Sequence, residues 1–159
     1  MAQESRPGAT AIAAPPAPPP PYGPPLSLEI AHKVMAAATA EAVANAWPMV
    51  IAILDSGGHL VLLQRLDQAN HGAIALAQRK AESAVNFRRP TKVFEDVLVA
   101  GGAGIRMLSI AADLIALEGG VPLLDRGQVV GAIGVSGMQS FQDGQVAQAG
   151  ARALASPHS

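Results

Sequence analysis

Apolar residues recur at Leu28, Ala31, Met35, Ala38 and Ala42, a three-and-four spacing that lays one stripe along a helix. Ser27 stands where an N-cap is needed, and Glu29 in the first turn faces the positive helix end. Trp47-Pro48 should stop this helix, because proline lacks the amide that the next turn requires. The period then changes. Met49 to Leu54 is a short apolar strand, Asp55-Ser-Gly-Gly58 a turn and His59 to Gln64 a second strand, which together predict a β-hairpin. Gly72 to Phe87 reads as an alanine-rich helix with Arg79, Lys80 and Glu82 on its polar side. Pro90 interrupts, and Thr91 can cap a short helix to about Ala100. Gly101 to Gly104 reads as a loop, and Ile105 to Leu117 fits either a helical turn or irregular chain. Val121 to Leu124 and Gln128 to Val135 flank Asp125-Arg-Gly127, a second hairpin signal. Asp143 or Ser140 then opens a last helix through about Leu154. Strands joined by hairpins imply an antiparallel sheet with helices packed on it, an α+β layer fold.

Composition narrows what this pattern can serve. Most of the 13 prolines fall in residues 1–25, including Pro18 to Pro21, so that stretch is expected to be a polyproline-II-like or disordered tail, or to pack on a neighbouring subunit through Tyr22. Residues 26–155 then form one α+β domain. Half of the 159 residues are hydrophobic but only 3% aromatic, so the core must be built from Ala, Val, Leu and Ile. With 11 basic and 12 acidic residues the net charge is -1, which gives no electrostatic footprint for nucleic acid or an anionic membrane. The absence of cysteine removes disulfides, thiolate metal sites and thiol nucleophiles together. No apolar run approaches the ~20 residues of a membrane span. Glu4, Arg6 and an Ala/Pro run make a poor secretory signal, and a cytoplasmic location is the expectation.

The most specific stretches are Glu118-Gly-Gly-Val-Pro122 and Gly131-Ala-Ile-Gly-Val-Ser-Gly137, where glycines allow tight turns or close approach. Together with Ile51-Ala-Ile-Leu-Asp-Ser-Gly-Gly-His-Leu60, Gln64-Arg-Leu-Asp67, Lys80-Ala81, Asp143 and Ala149-Gly150, they resemble the GlcG/HbpS-like family, which also includes the C-terminal domain of PduO-type adenosyltransferases. The match runs in order over about residues 26–154. The resemblance implies a profilin-like, five-stranded antiparallel sheet flanked by helices, and a homo-oligomer, tetramer or octamer. It implies less about activity: some members bind haem, and others have no assigned reaction.

Haem needs an axial donor and an apolar slot. His32 lies beside Ala36, Thr39 and Val43, small neighbours that leave room for a flat ligand. The resemblance to haem-binding relatives implies a histidine ligand on this first helix, which makes His32 the cofactor-binding and metal candidate. The plainer reading is an exposed helix histidine. His59 either lines a pocket or bonds the turn before it; His71 either makes a site of its own or caps the following helix. The amides of Ser136 and Gly137 either meet a carboxylate or merely let a helix come close. No paired histidines or acidic ladder mark a metal site. Arg65, Asp67 and Glu118 sit at strand ends. As surface ion pairs they would be worth about 0–1 kcal/mol; in one cleft, Glu118 or Asp67 could act as general base while Arg65 holds a carboxylate. Two functions are therefore weighed: a small-ligand-binding, haem-binding-like protein, or a cofactor-independent isomerase, hydratase or lyase. The basic cluster Arg88, Arg89 and Lys92 reads as a local salt-bridge arrangement or a subunit interface.

Overall fold

The computed structural model describes residues 16–109 and 112–155. In order it contains α1 (Leu28–Ala44), β1 (Val50–Asp55), β2 (Leu60–Arg65), α2 (Gly72–Phe87), α3 (Lys92–Ala100), a 3-10 segment (Gly102–Ser109), β3 (Gly120–Asp125), β4 (Gln128–Ser136) and α4 (Ser140–Ala155). The strands form one antiparallel sheet in the order β2-β1-β4-β3, so each hairpin is intact and the two meet along β1 and β4.

Alternation along β1 sorts its side chains to two faces, both buried. Ile51 and Ile53 join Val121, Leu123, Ile133 and Val135 in a core closed by α1 and α4, through Val34, Met35, Ala38, Val146 and Ala147. Val50, Ala52 and Leu54 face α2, which presents the stripe Ala73, Ala77, Ala81 and Ala84. The molecule is thus three layers with unequal spacings. Aliphatic side chains fill the α1/α4 side, whereas on the other side small residues let α2 settle close to the sheet. A Cβ on Gly134 would collide with the Ala77 carbonyl and the Ala81 amide.

Four strands are present among the described residues, where the resemblance implied five. What is added is a single parallel bridge between Tyr22 and Val129, with the Gly23 and Leu26 amides donating to the carbonyls of Val129 and Val130. Prolines 18–21, 24 and 25 have no amide to donate, so this segment cannot extend a ladder. The tail's second half also finds its contacts on its own chain. The Tyr22 hydroxyl lies 2.7 Å from the Val85 carbonyl and 3.1 Å from that of Asn86, and the Arg88 guanidinium sits 5.1 Å over the Tyr22 ring. The part of the tail expectation that falls on residues 1–15 lies outside the described residues.

Other local expectations change for physical reasons. Lys80 is not on the polar side of α2: its position, three after Ala77 and four before Ala84, puts it in the buried stripe, and it is 1% exposed. His71 makes no capping bond; the Asn70 side chain accepts from the Ala73 amide at 2.9 Å instead. Thr91 precedes α3, but its hydroxyl accepts from the Gly120 amide at 2.9 Å, tying the helix to β3 rather than capping it. Ser140 opens α4, with Asp143 in its first turn.

Candidate functional site

The two glycine-rich stretches meet where β4 ends and α4 begins. Lys80 reaches this junction from α2, donating to Asp143 Oδ2 at 2.8 Å and to the Val135 carbonyl at 3.1 Å. The other Asp143 oxygen accepts from the Met138 amide at 3.0 Å. The turn after Gly137 therefore holds a carboxylate already, and that carboxylate belongs to the chain. Burial pushes the Asp143 carboxyl up, against the pull of Lys80 and the Met138 amide. Gly119 makes room for the lysine: a Cβ there would stand 2.9 Å from Lys80 Nζ. Gly137 is required by the backbone, since a Cβ would come 2.6 Å from the Pro48 carbonyl. Ser136 is buried in pairing with Val50. The glycines proposed as a cradle thus accommodate α2, its lysine and the start of β1.

Glu118 lies on the outer side of this junction. Its carboxyl covers Gly144 in the first turn of α4, where a Cβ would collide with it. Glu95 braces the loop, accepting from the Glu118 amide at 2.9 Å and from the Ser140 hydroxyl at 2.7 Å. A cavity of about 180 Å³ opens here, lined by Pro90, Lys92, Asp96, Glu118 and Gly144 among others. The Glu118 carboxyl titrates above its ordinary value of 4.5, chiefly through burial; Lys92 pulls it down, while Glu95 and Asp96 push it up.

Arg65 and Asp67 line a different depression, open and polar, of about 730 Å³, with Gln68, Asn70 and His71. The three catalytic candidates are therefore split, two in one depression and Glu118 in another. His32 is exposed on α1. The His59 side chain is 83% exposed, with Nδ1 3.3 Å from Asp55 Oδ1, a contact that belongs to the hairpin turn. Lys80 and Asp143 were legible as family-like residues but not as partners. Their signal was the lysine's place within the alanine stripe. Among the described residues no group of three or more His, Asp or Glu could hold a metal ion, and no helix is long and apolar enough to cross a membrane.

A four-stranded antiparallel sheet between one helix and a helix pair, with glycines admitting a buried ion pair at the end of β4, defines a small α+β domain of recognisable class. The model of the family described as "Haem degrading protein HbpS-like" matches residues 26–152, and the chain belongs to the HbpS-like family. It is 43% identical to protein GlcG of Escherichia coli K12 over 112 residues, covering 70% of this chain and 81% of GlcG. It is 29% identical to the corrinoid adenosyltransferase PduO of Salmonella typhimurium over 130 residues, 81% of this chain but only 39% of PduO. Among solved structures, the PduOC:heme complex superposes with a TM-score of 0.74 at 29% identity, covering 81% of this chain and 94% of that one. HbpS of Streptomyces reticuli, as a double mutant, superposes with a TM-score of 0.74 at 30% identity, covering 93% and 99%.

Proposed function

We propose that this protein binds a small ligand, with haem the first to test, and that binding rather than acid-base catalysis is what its architecture serves. The observation that carries the reading is the state of the buried charges. Lys80 and Asp143 satisfy one another and the adjacent backbone, and among the described residues no buried side-chain nitrogen or oxygen lacks a partner. A catalytic acid or base needs a proton-transfer direction left open toward a substrate; for Lys80 and Asp143 that direction is occupied by each other and by the adjacent backbone. The separation of Glu118 from Arg65 and Asp67 supports the same reading.

Haem-related binding comes from the relatives, one of them a haem complex. Of the residues present, His32 would be the iron donor. It is exposed on α1, so the contact it offers is a surface one. A porphyrin held there would lie on the surface of α1. The iron would supply whatever redox chemistry follows, while the chain's part is to bind and orient the ring. Assembly into a homo-oligomer in the cytoplasm belongs to the same proposal; Val99, 82% exposed on α3, and Ile105 beyond it offer apolar surface for contact. The test is a haem titration read by the Soret band. A saturable shift in the wild type that is lost in His32→Ala and kept in His59→Ala is expected. A wild type without a saturable shift, or a His32→Ala variant that retains it, overturns the assignment.

A further inference from the structure

The carboxyls gathered around the start of α4 differ in what holds them. Asp143 is bonded to Lys80 and the Met138 amide, and Glu95 to the Glu118 amide and the Ser140 hydroxyl. Asp96 accepts from Lys92 at 3.0 Å. The Glu118 carboxyl, by contrast, has neither a hydrogen bond nor an ion pair among the described residues. It is half-buried all the same, folded against Gly144 and lining the cavity of about 180 Å³.

The walls of this cavity come from several elements that are fastened to one another without any ligand. Val93 belongs to α3, Gly120 and Val121 to β3, and Gly144 and Gln148 to α4. The Thr91 hydroxyl ties the start of α3 to Gly120, and Glu95 ties α3 to Ser140 of α4. A site held in place beforehand carries less of the ordering cost of binding. The volume falls below the ~300–1,000 Å³ of drug-sized sites, so it suits an occupant of a few heavy atoms. Pro90, Val93 and Val121 offer such an occupant apolar surface, and Glu118 offers it a charge. Lys92 also lines the cavity, but its ammonium is bonded to Asp96, and both side chains are more than half exposed, at 54% and 62%. The raised titration of Glu118 agrees: burial is its largest cause, and Glu95 and Asp96 add to it against the pull of Lys92 and Lys80. A cation donating to this carboxylate would offset its desolvation through charge-assisted hydrogen bonds.

We infer that this cavity binds a small primary ammonium, its charge donating to the Glu118 carboxylate and its short alkyl body lying on Pro90, Val93 and Val121. The inference goes beyond the haem reading, since it uses no residue of α1 and no iron. The probe is butylammonium chloride, followed by backbone amide chemical shifts, with butan-1-ol, butyrate and sodium chloride as comparisons. Saturable shifts centred on Gly120, Val121 and Gly144 are expected, with butan-1-ol and butyrate about tenfold weaker or more and sodium chloride without effect. Glu118→Gln, retaining the wild-type far-ultraviolet circular dichroism, is expected to weaken butylammonium about tenfold or more. Lys92→Met should leave binding unchanged or tighten it. The Glu118 proton must leave before the ammonium can bind. Wild-type affinity should therefore rise with pH through the folded Glu118 value, which lies above 4.5, while Glu118→Gln stays flat. Lys92, Glu95 and Asp96 of α3, Lys80 of α2 and Asp143 of α4 are common to both proteins, so the difference isolates Glu118. Absent or unsaturable shifts, equal affinity for amine and alcohol, butyrate binding as tightly as the amine, or an unaffected Glu118→Gln each overturns the proposal. A lysine side chain from a neighbouring chain carries the same group. Butylammonium that binds only while lowering the oligomer mass by light scattering would make the cavity a subunit contact and overturn a free amine as its occupant. A Soret shift that persists without butylammonium binding removes this site alone, and the reverse removes only the haem assignment.

Discussion

Helix α2 carries cations to two opposite environments. Lys80, midway along it, is sealed between the sheet and α4 and bonded to Asp143; Arg88 and Arg89, at its end, border a cleft of about 420 Å³ between β3 and α4. The difference is not one of residue type. It follows from where each cation stands relative to the alanine stripe and to the glycines opposite. Gly119, Gly120 and Gly134 remove side chains from the sheet side just where α2 and Lys80 need the space. Beyond Phe87 the helix has run past the sheet, and the cations emerge. One pair of charges locks the layers together, while Arg88 and Arg89 bond backbone carbonyls around the end of α2, those of Pro20 and Phe87.

The largest effect should come from breaking the sealed end. Lys80→Ala leaves Asp143 buried without its cation, and removing one member of a buried pair costs about 3–5 kcal/mol. Urea unfolding should show this loss. Lys80→Met combined with Asp143→Leu should recover most of it, since an apolar replacement of both partners is often neutral. Arg89→Ala at the open end is expected to stay within about 0.5 kcal/mol of wild type. Comparable losses at both ends would mean that the cations at the end of α2 are as much a part of the packing as Lys80.

Next in size is Gly134→Ala, which pushes a methyl group against the Ala77 carbonyl and should cost about 1–3 kcal/mol by overpacking. A smaller loss, about 1 kcal/mol, is expected for Tyr22→Phe, which deletes the hydroxyl that donates to the end of α2. Its more specific readout is faster proteolysis before Leu26. Unchanged cleavage would mean that the N-terminal segment is held by its backbone bonds to β4 and not by the ring.

Most elements were legible in the sequence because their periods were clean: the stripe on α1, the two hairpins and the alanine helix all stand where spacing put them. The misreadings share a cause. Lys80 carries a charge but its spacing points inward, and the fifth strand rested on the resemblance alone, since the pattern itself marks only the four strands that form. The candidate site was less legible still. Glu118, Ser136 and Gly137 do gather at one junction, yet nothing local says that Asp143 would bond the turn amide or that Lys80 would reach it from 63 residues away. Such pairings are set by the close approach of α2. That approach depends on glycines whose role is visible only once the layers are stacked.

The smallest effect is also the one that tests whether Glu118 belongs with the sealed end or the open one. Its carboxyl is raised above 4.5, chiefly by burial, so the folded protein holds this proton more firmly than the unfolded chain. Between 4.5 and the raised folded value, the native state binds more protons. Stability from this group is therefore complete below 4.5 and is lost as pH rises through the folded value. Above that window the ionised carboxylate is a small burden. Glu118→Gln, which imitates the protonated form, should then equal or exceed wild-type stability at pH 7, with the gap closing below pH 4.5. Melting curves of both proteins across that range provide the check. A variant that is less stable at pH 7 would mean that the charge is favourably held, placing Glu118 with Lys80 and Asp143 as part of the lock.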